Sequence, residues 1–252
     1  MGKGYRKEWN TMAALGLVPD AAIASFSGYN SDIDINTVPE TIWELGGIYT
    51  PQTTPDVVNI VSTDAGDNAS GTGARLIAIK GLDNNYTEIQ ELIVPTGLTT
   101  ATTTQSFLRI NNIAVISSGS NQSNLGDITF SIGAVAESFI ASNNGTSLAG
   151  IFTVPDKKHL LIQNILLSLG KTQAASADFE VQVMFFGTNT WNTVNKFSLH
   201  SDAGIFELAF VNNPLIAPPK STLRFNIRES DKNNVSASVG VRGILFNSGN
   251  PL

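Results

Sequence analysis

The feature that most constrains this chain is a period-two alternation of apolar and polar residues in its C-terminal half. In 178-DFEVQVMFF-186, Phe179, Val181, Val183 and Phe185 alternate with Glu180, Gln182 and Met184. In 222-TLRFNIRES-230, Leu223, Phe225 and Ile227 alternate with Arg224, Asn226 and Arg228, and 235-VSASVGVRGILF-246 sets Val235, Ala237, Val239 and Val241 on one face. Side chains on a strand point to opposite faces in turn, so this pattern predicts strands with one face in a core and one in water. By contrast 159-HLLIQNILLSL-169 is apolar on both faces and is expected to be a central strand.

The same reading extends upstream. Residues 73–95 predict a hairpin turning at Leu82-Asp83-Asn84-Asn85, and 105–117 and 127–133 predict strands separated by a Gly/Ser/Asn loop at 118–126. Further strands are expected at 147–154, 193–199 and 204–211. Roughly seven strands at such spacing in the later part of the chain point to an antiparallel sandwich or jelly roll. The expected fold is all-β: tandem antiparallel β-sandwich (jelly-roll-like) domains at 51–140 and 141–252. They are preceded by an extended or short-helical arm at 1–50, with no sustained strand in it. Helical turns are expected at 6–16 and 39–45, the second because Thr37 stands three residues before Glu40 and Pro39 near the first turn.

Composition narrows the chemistry. Apolar residues are 42% of the 252 and charged residues 14%, against about 25% charged in an ordinary globular domain. The polarity comes from Ser, Thr, Asn and Gly, which suit strands and tight turns. The net charge is −6, and no dense Lys/Arg run is present to neutralise phosphates, so nucleic acid is not an expected partner. Lys3, Arg6 and Lys7 form the only local basic excess; they read as a solvated terminus or as a contact for an acidic partner. With no cysteine there are no disulfides and no thiolate chemistry. The apolar patch at 12–23 is interrupted by Gly16, Pro19 and Asp20, unlike a secretory leader, and no run reaches the ~20 apolar residues of a membrane span. A soluble protein, with no membrane partner, made in the cytoplasm of the producing cell is the expectation.

The carboxylates of 28-GYNSDIDINTVPETIWELGGIYTP-51 invite a metal reading. Asp32, Asp34 and Asn36 have the opening spacing of an EF-hand loop, but that loop needs Gly at its sixth position and Glu at its twelfth, where this chain has Thr37 and Trp43. Local hydrogen bonding of these side chains to backbone N–H groups is the better expectation. Two histidines, His159 and His200, do not build a metal centre on their own. No nucleophile elbow, zinc-protease motif or P-loop occurs, and Gly71-Thr72-Gly73 precedes a strand, which makes it a turn. The acids Glu88, Glu91, Glu180 and Glu207 fall on faces expected to be wet. No catalytic residue, cofactor or metal is therefore expected.

Three passages resemble a known group. Residues 28–51 resemble a G-x-N-x-D-I-D-x-x-T-V-P-E-x-I-W-x-x-G-G-x-Y segment of virion structural proteins of tailed bacteriophages. The passage 107-FLRINNIAVISSGSNQSNLGDITFSIG-133 is similar to their F-x-R-I…GS…N-x-G-D-I strand pair. The passage 147-SLAGIFTVPDKKHLLIQNILLSLGK-171 is similar to a further strand segment, with Phe152 for an aromatic Tyr and Asp156-Lys157 for Gly-Lys. The likeness implies a non-enzymatic virion component, made in the host cytoplasm and located in the particle. Capsid cement or decoration is the favoured role; a neck or tail-fibre adaptor or a carbohydrate- or receptor-binding module is the alternative. Its partners would be copies of itself, by analogy as a homotrimer, and the major capsid or other virion proteins. Trp9, Trp43 and Tyr49 are the expected docking anchors of the arm.

Overall fold

The computed structural model describes residues 9–170, 174–210 and 215–247; Lys3, Arg6 and Lys7 lie outside them. A six-residue helix α1 (Trp9–Ala14) precedes β1 (Ala21–Ile33) and β2 (Glu40–Thr41). Then follow β3 (Asp56–Ser62), β4 (Ala74–Leu82), β5 (Glu88–Ile93), β6 (Ala101–Phe107), β7 (Arg109–Ser118), β8 (Ile128–Ile132) and β9 (Val135–Ile140). The chain continues with β10 (Ile151–Thr153), β11 (Lys158–Gly170), β12 (Ser176–Met184) and β13 (Trp191–His200). It ends with β14 (Ile205–Ala209), β15 (Leu215–Ala217), β16 (Thr222–Ser230) and β17 (Val235–Asn247).

Four antiparallel sheets result. The first has the order β1-β17-β11-β14, with β15 continuing along the β11 edge, and the second the order β10-β16-β12-β13, with β2 beside β10 on β16. Taking β2 with β10, and β14 with β15, as interrupted single strands leaves eight strands. Their sheet orders are first-eighth-third-sixth and second-seventh-fourth-fifth, the jelly-roll arrangement of two Greek keys. The other two sheets, β6-β3-β8-β9 and β5-β4-β7, form a smaller sandwich from the chain between β2 and β10. That sandwich is thus an insertion in the second strand of the jelly roll.

Each sandwich has its own core. Phe179, Val181, Val183, Leu223, Phe225, Ile227, Val239 and Val241 meet inside the jelly roll, while Val58, Ile77, Ile79, Phe107, Ile113 and Phe130 fill the insertion. The alternation in β12, β16 and β17 therefore orients those strands as expected, and β11 is central, between β17 and β14.

Five features depart from the sequence reading. The segment 1–50 does contain a sustained strand: β1 pairs with β17 from Ala21↔Phe246 to Asn30↔Ala237 and buries Ala24 and Phe26 in the jelly-roll core. Apart from Phe26, its inward residues Ala24, Gly28 and Asn30 are small or polar, which hid the alternation. No helix forms at 39–45. Thr37 Oγ1 donates to the Glu40 carboxylate, a side-chain pair and not the side-chain-to-backbone bonds of a capping box, and Glu40 and Thr41 pair with Ile227 and Asn226 of β16. The outward face of β16 is not wet, because 40–49 covers it and leaves Arg224 6% and Asn226 1% exposed. Glu180, expected in water, is 8% exposed, and β12 stops at Met184 so that Phe185 is 40% exposed.

Candidate functional site: the junction and the open jelly-roll face

The chain leaves the jelly roll after β2 and returns at β10, and both passages run beside β1. Gly150 N–H donates to Ser27 O at 3.0 Å and Tyr29 N–H to Leu148 O at 3.2 Å. The backbones come so close that a Cβ on Gly28 would lie 2.3 Å from Ile42 O, and one on Gly150, at φ +60°, would lie 2.4 Å from the same atom. Only glycine fits at this crossing.

Beside the crossing, Trp43, Tyr49 and Ile151 form a small third core, with Leu45, Ala149 and Trp191 packed on it. Trp43 and Tyr49 meet edge to face at 5.4 Å. Trp43 Nε1 donates to Gly46 O at 2.7 Å, and Tyr49 Oη donates to Glu137 Oε2 of β9 at 3.1 Å. Arg224 stacks 4.0 Å over Trp191, and donates to Tyr49 O at 2.6 Å and to Gln182 Oε1 at 2.9 Å. Burial pulls its guanidinium down to about 10, still charged at neutral pH. Arg109 of β7, 4% exposed, donates to Leu108 O at 2.8 Å and to Gln52 O.

Trp43 and Tyr49 are 6% and 2% exposed, so neither presents a surface to a neighbour. Their expected docking use is corrected to an internal one: they glue the insertion to the jelly roll. Trp9 lies in α1, away in sequence from this cluster, and its side chain lies outside the described residues.

Two carboxyls at the junction are strongly perturbed. Burial raises Glu137 to about 7, opposed by hydrogen bonds from Tyr49 and Gln52 and by the charge of Arg109. Burial also raises Glu44 to about 7, opposed by backbone hydrogen bonds at Leu148 and Ala141. Burial and the nearby Glu137 push the Tyr49 phenol up. A carboxyl near 7 can exchange protons at neutral pH, but acid–base catalysis also requires reach to a substrate. Glu137 is 3% exposed and so out of a substrate's reach, while Glu44 is half-buried with its Oε1 accepting from Asn144 Nδ2 at 2.9 Å. These groups therefore tune the junction.

In the opening motif Asp34 Oδ1 accepts from Asn234 N at 2.6 Å, and the backbone N–H of Asp32 donates to Asn30 Oδ1 at 3.0 Å. No group of three or more His, Asp or Glu side chains that could hold a metal ion lies among the described residues.

A second tie joins the sandwiches at one rim. Tyr86, at φ +62° in the β4–β5 turn, meets Phe186 edge to face at 5.6 Å, with Lys220 Nζ 5.8 Å from its ring. Asp83 Oδ1 fixes that turn by accepting from Asn85 N and Thr87 N at 2.7 and 2.9 Å. Asp156 N–H donates to Tyr86 O at 2.8 Å, and Lys158 pairs with Glu88 at 2.5 Å.

The outer face of the first jelly-roll sheet is different in kind. Tyr29, Ile205 and Ile216 are 36%, 74% and 49% exposed there. A shallow hollow of about 330 Å³ lies on this face among Tyr29, Leu166, Ile205, Ser168, Ser238 and Gly240. The sequence reading did not single out this face. The spacing of Leu161 and Leu166 on a strand apolar on both sides was the available signal, read there only as centrality.

No family model matches the chain, and no curated protein matches it. Among solved structures, the chain is similar to the infectious bursal disease virus VP2 subviral particle, at 9% identity and TM-score 0.23, over 92% of this chain and 73% of that one. It is also similar to the chain in the T13 particle of that virus, at 8% identity and TM-score 0.21, over 96% and 75%. The D431N mutant VP2 in T=1 particles gives 8% identity and TM-score 0.18, again over 96% and 75%. Superpositions this loose leave the function to be argued from the chain's own geometry.

Proposed function

We propose that this chain is a structural component of a virus particle, more narrowly a capsid cement or decoration protein of a tailed bacteriophage, acting by interface burial and not by catalysis. The observation that carries the reading is the outer face of the first jelly-roll sheet. Tyr29 and Ile205 stand exposed there around small Ser and Gly positions, and Ile216 is exposed further along the same face. Exposed apolar patches of this kind mark interaction sites. Arg242 of β17 and Glu207 of β14 are exposed on strands of the same sheet, so copies of the chain meeting through it can offer opposite charges. The phage-like motifs at 28–51, 107–133 and 147–171 supply the particle context, and a homotrimer is the proposed assembly.

Ahead of β1, Leu15 and Leu17 are 61% and 52% exposed next to α1. With Trp9 they make this stretch the proposed docking arm toward the major capsid protein. The decisive experiment is gold labelling of purified virions with antibody to this chain, combined with light scattering of the isolated protein. Label on the shell and an oligomer that Ser238→Arg dissociates support the reading. Unlabelled particles together with a monomeric wild type overturn it.

A second reading, glycan or receptor binding, has Phe185 and Phe186 in its favour, 40% and 60% exposed at the β12–β13 turn. Glycan-array binding lost in Phe186→Ala would support it.

A further inference from the structure

A cleft of about 460 Å³ lies where β1 faces the inserted sandwich. Ile23 and Ser25 of β1 line one side, Lys80, Gln90 and Asn112 of the insertion another, and Phe152 also contributes. Among the described residues, the β1 edge in this cleft is unpaired main chain. β1 is the outermost strand of its sheet, and its regular register with β17 runs unbroken from Ala21 to Asn30. Ser27 O and Tyr29 N bond to the 148–150 segment, on the side away from β17. The period of two puts the N–H and C=O of Ile23 and Ser25 on that same side. The segment that covers 27–29 turns away at Gly150, φ +60°, to form β10 on the other sheet, and so leaves Ile23 and Ser25 without a strand neighbour.

We infer that this edge receives an extended segment of another polypeptide, which adds to the first jelly-roll sheet as a further strand within the cleft. The geometry selects the occupant. An open edge on a free surface would accept the edge of any folded sheet. Here residues of the insertion line the cleft opposite the edge, so an incoming strand meets protein on both sides. Main-chain bonds to Ile23 and Ser25 supply affinity, as in other cases of strand addition. On the far side Gln90 and Asn112 are exposed, and their amides make no hydrogen bond among the described residues, so they are free to bind the other edge of the incoming strand. Lys80 is exposed and makes no ion pair among the described residues, whereas Glu88 is neutralised by Lys158. The fitting segment is therefore neutral apart from one carboxylate that reaches Lys80. This inference rests on the edge and the cleft alone and stands independently of the particle reading.

A random heptapeptide display library selected on the immobilised full chain tests it. The expected winners are free of Lys and Arg and carry one Asp or Glu, and synthetic versions bind in solution. Ser25→Pro removes an outward N–H while sparing the β1–β17 ladder, since proline is tolerated on edge strands. It should weaken the selected peptides at least tenfold with an unchanged circular dichroism spectrum. Lys80→Ala should weaken them several-fold and remove most of the salt dependence. N-methylation along the peptide needs no change to the protein, and should abolish binding at every second position. Selection of no peptide, equal affinity for Ser25→Pro, or an N-methyl profile without the period of two would overturn the inference.

Discussion

In the inserted sandwich the strands pair with one another inside one contiguous stretch: Ile77 pairs with Ile93 and Val115, and Val58 with Ile132. In the jelly roll Ala21 pairs with Phe246, and Lys158 with Asn247. The two regions share residue types but not the means of closure. The insertion is contiguous and carries an internal polar hub, Asp67, fully buried and accepting from Ser62 Oγ, Ala74 N, Leu125 N and Gly126 N at 2.6, 2.7, 2.9 and 2.9 Å. The jelly roll has a strand cut in two, and its halves β2 and β10 meet on β16 with the whole insertion between them in the chain. Closing long loops costs entropy that local contacts do not. The inserted sandwich is thus the self-sufficient unit, and the jelly roll depends on it.

Asp67→Ala tests that dependence with the largest expected effect. It leaves four donors without their acceptor, and each buried orphan costs about 1–3 kcal/mol. A loss of at least about 3 kcal/mol is expected in urea melts, carrying both sandwiches with it because β2 and β10 lose their alignment. A jelly roll that stays folded while the insertion melts, seen as retained β1 amide protection by hydrogen exchange, would break the comparison.

Gly150→Ala attacks the crossing from the jelly-roll side. The new Cβ meets Ile42 O and the residue is held at φ +60°, so a loss of about 2–3 kcal/mol is expected. The insertion should keep its own exchange protection, with Phe130 and Ile113 still enclosed. Equal loss of protection in both sandwiches would show that dependence runs both ways.

Much of this architecture can be read from residues, and the exceptions have physical causes. β12, β16 and β17 alternate large apolar and polar side chains, which marks both strand and face. β1 reads as irregular because its core-facing positions Ala24 and Gly28 are small, and its partner is at the other end of the chain, where no local pattern points. β6 (ATTTQSF) is hidden by threonines, since Thr103 is buried with its Oγ1 accepting from Val58 N at 2.8 Å. The opening motif of 28–51 was legible as special but not as internal. Gly28 makes the crossing possible, and Asn30 donates to Glu40 at 3.0 Å. Trp43 and Tyr49 fill the junction. Large aromatics beside prolines look alike whether they serve a neighbour or a second sandwich of the same chain. Arg109 sits in the F-x-R-I passage, so that motif carried the signal for a buried arginine, whereas nothing local marks Glu137 as its neighbour.

Glu137→Gln sharpens the comparison at the point where the two regions meet. A free glutamate titrates near 4.5, and burial holds this one at about 7 in the folded chain. Between those values the folded chain binds a proton that the unfolded chain has released. Its contribution to stability therefore falls as pH rises from about 4.5 to about 7 and stays low above that. At 1.36 kcal/mol per unit the cost at higher pH is at most about 3 kcal/mol. Gln keeps an oxygen for the Tyr49 hydroxyl and cannot ionise. It should stabilise the protein by about 1–3 kcal/mol at pH 8 and make little difference at pH 4.5. Glu44 leaves a residual slope of the same sign. Urea midpoints at the two pH values provide the check, and a variant less stable at pH 8 would refute the buried-acid account.

The rim tie should matter least, and its size decides whether the sandwiches are glued mainly through the junction. Lys158 pairs with Glu88, which is about half exposed. Surface pairs of this sort contribute about 0.2–1 kcal/mol and are screened by salt. Lys158→Ala should cost less than about 1 kcal/mol at low salt and close to nothing in molar salt. Tyr86→Ala also removes the ring contact with Phe186, about 0.5–1.5 kcal/mol, and leaves the backbone cost at φ +62° unchanged, since alanine keeps the Cβ that causes it. The two losses together should remain below that of Gly150→Ala. If instead Tyr86→Ala alone uncouples the sandwiches, with two separate unfolding transitions in calorimetry, the rim governs their attachment. The crossing of Gly28 and Gly150 would then be only the path of the chain between two bodies held elsewhere.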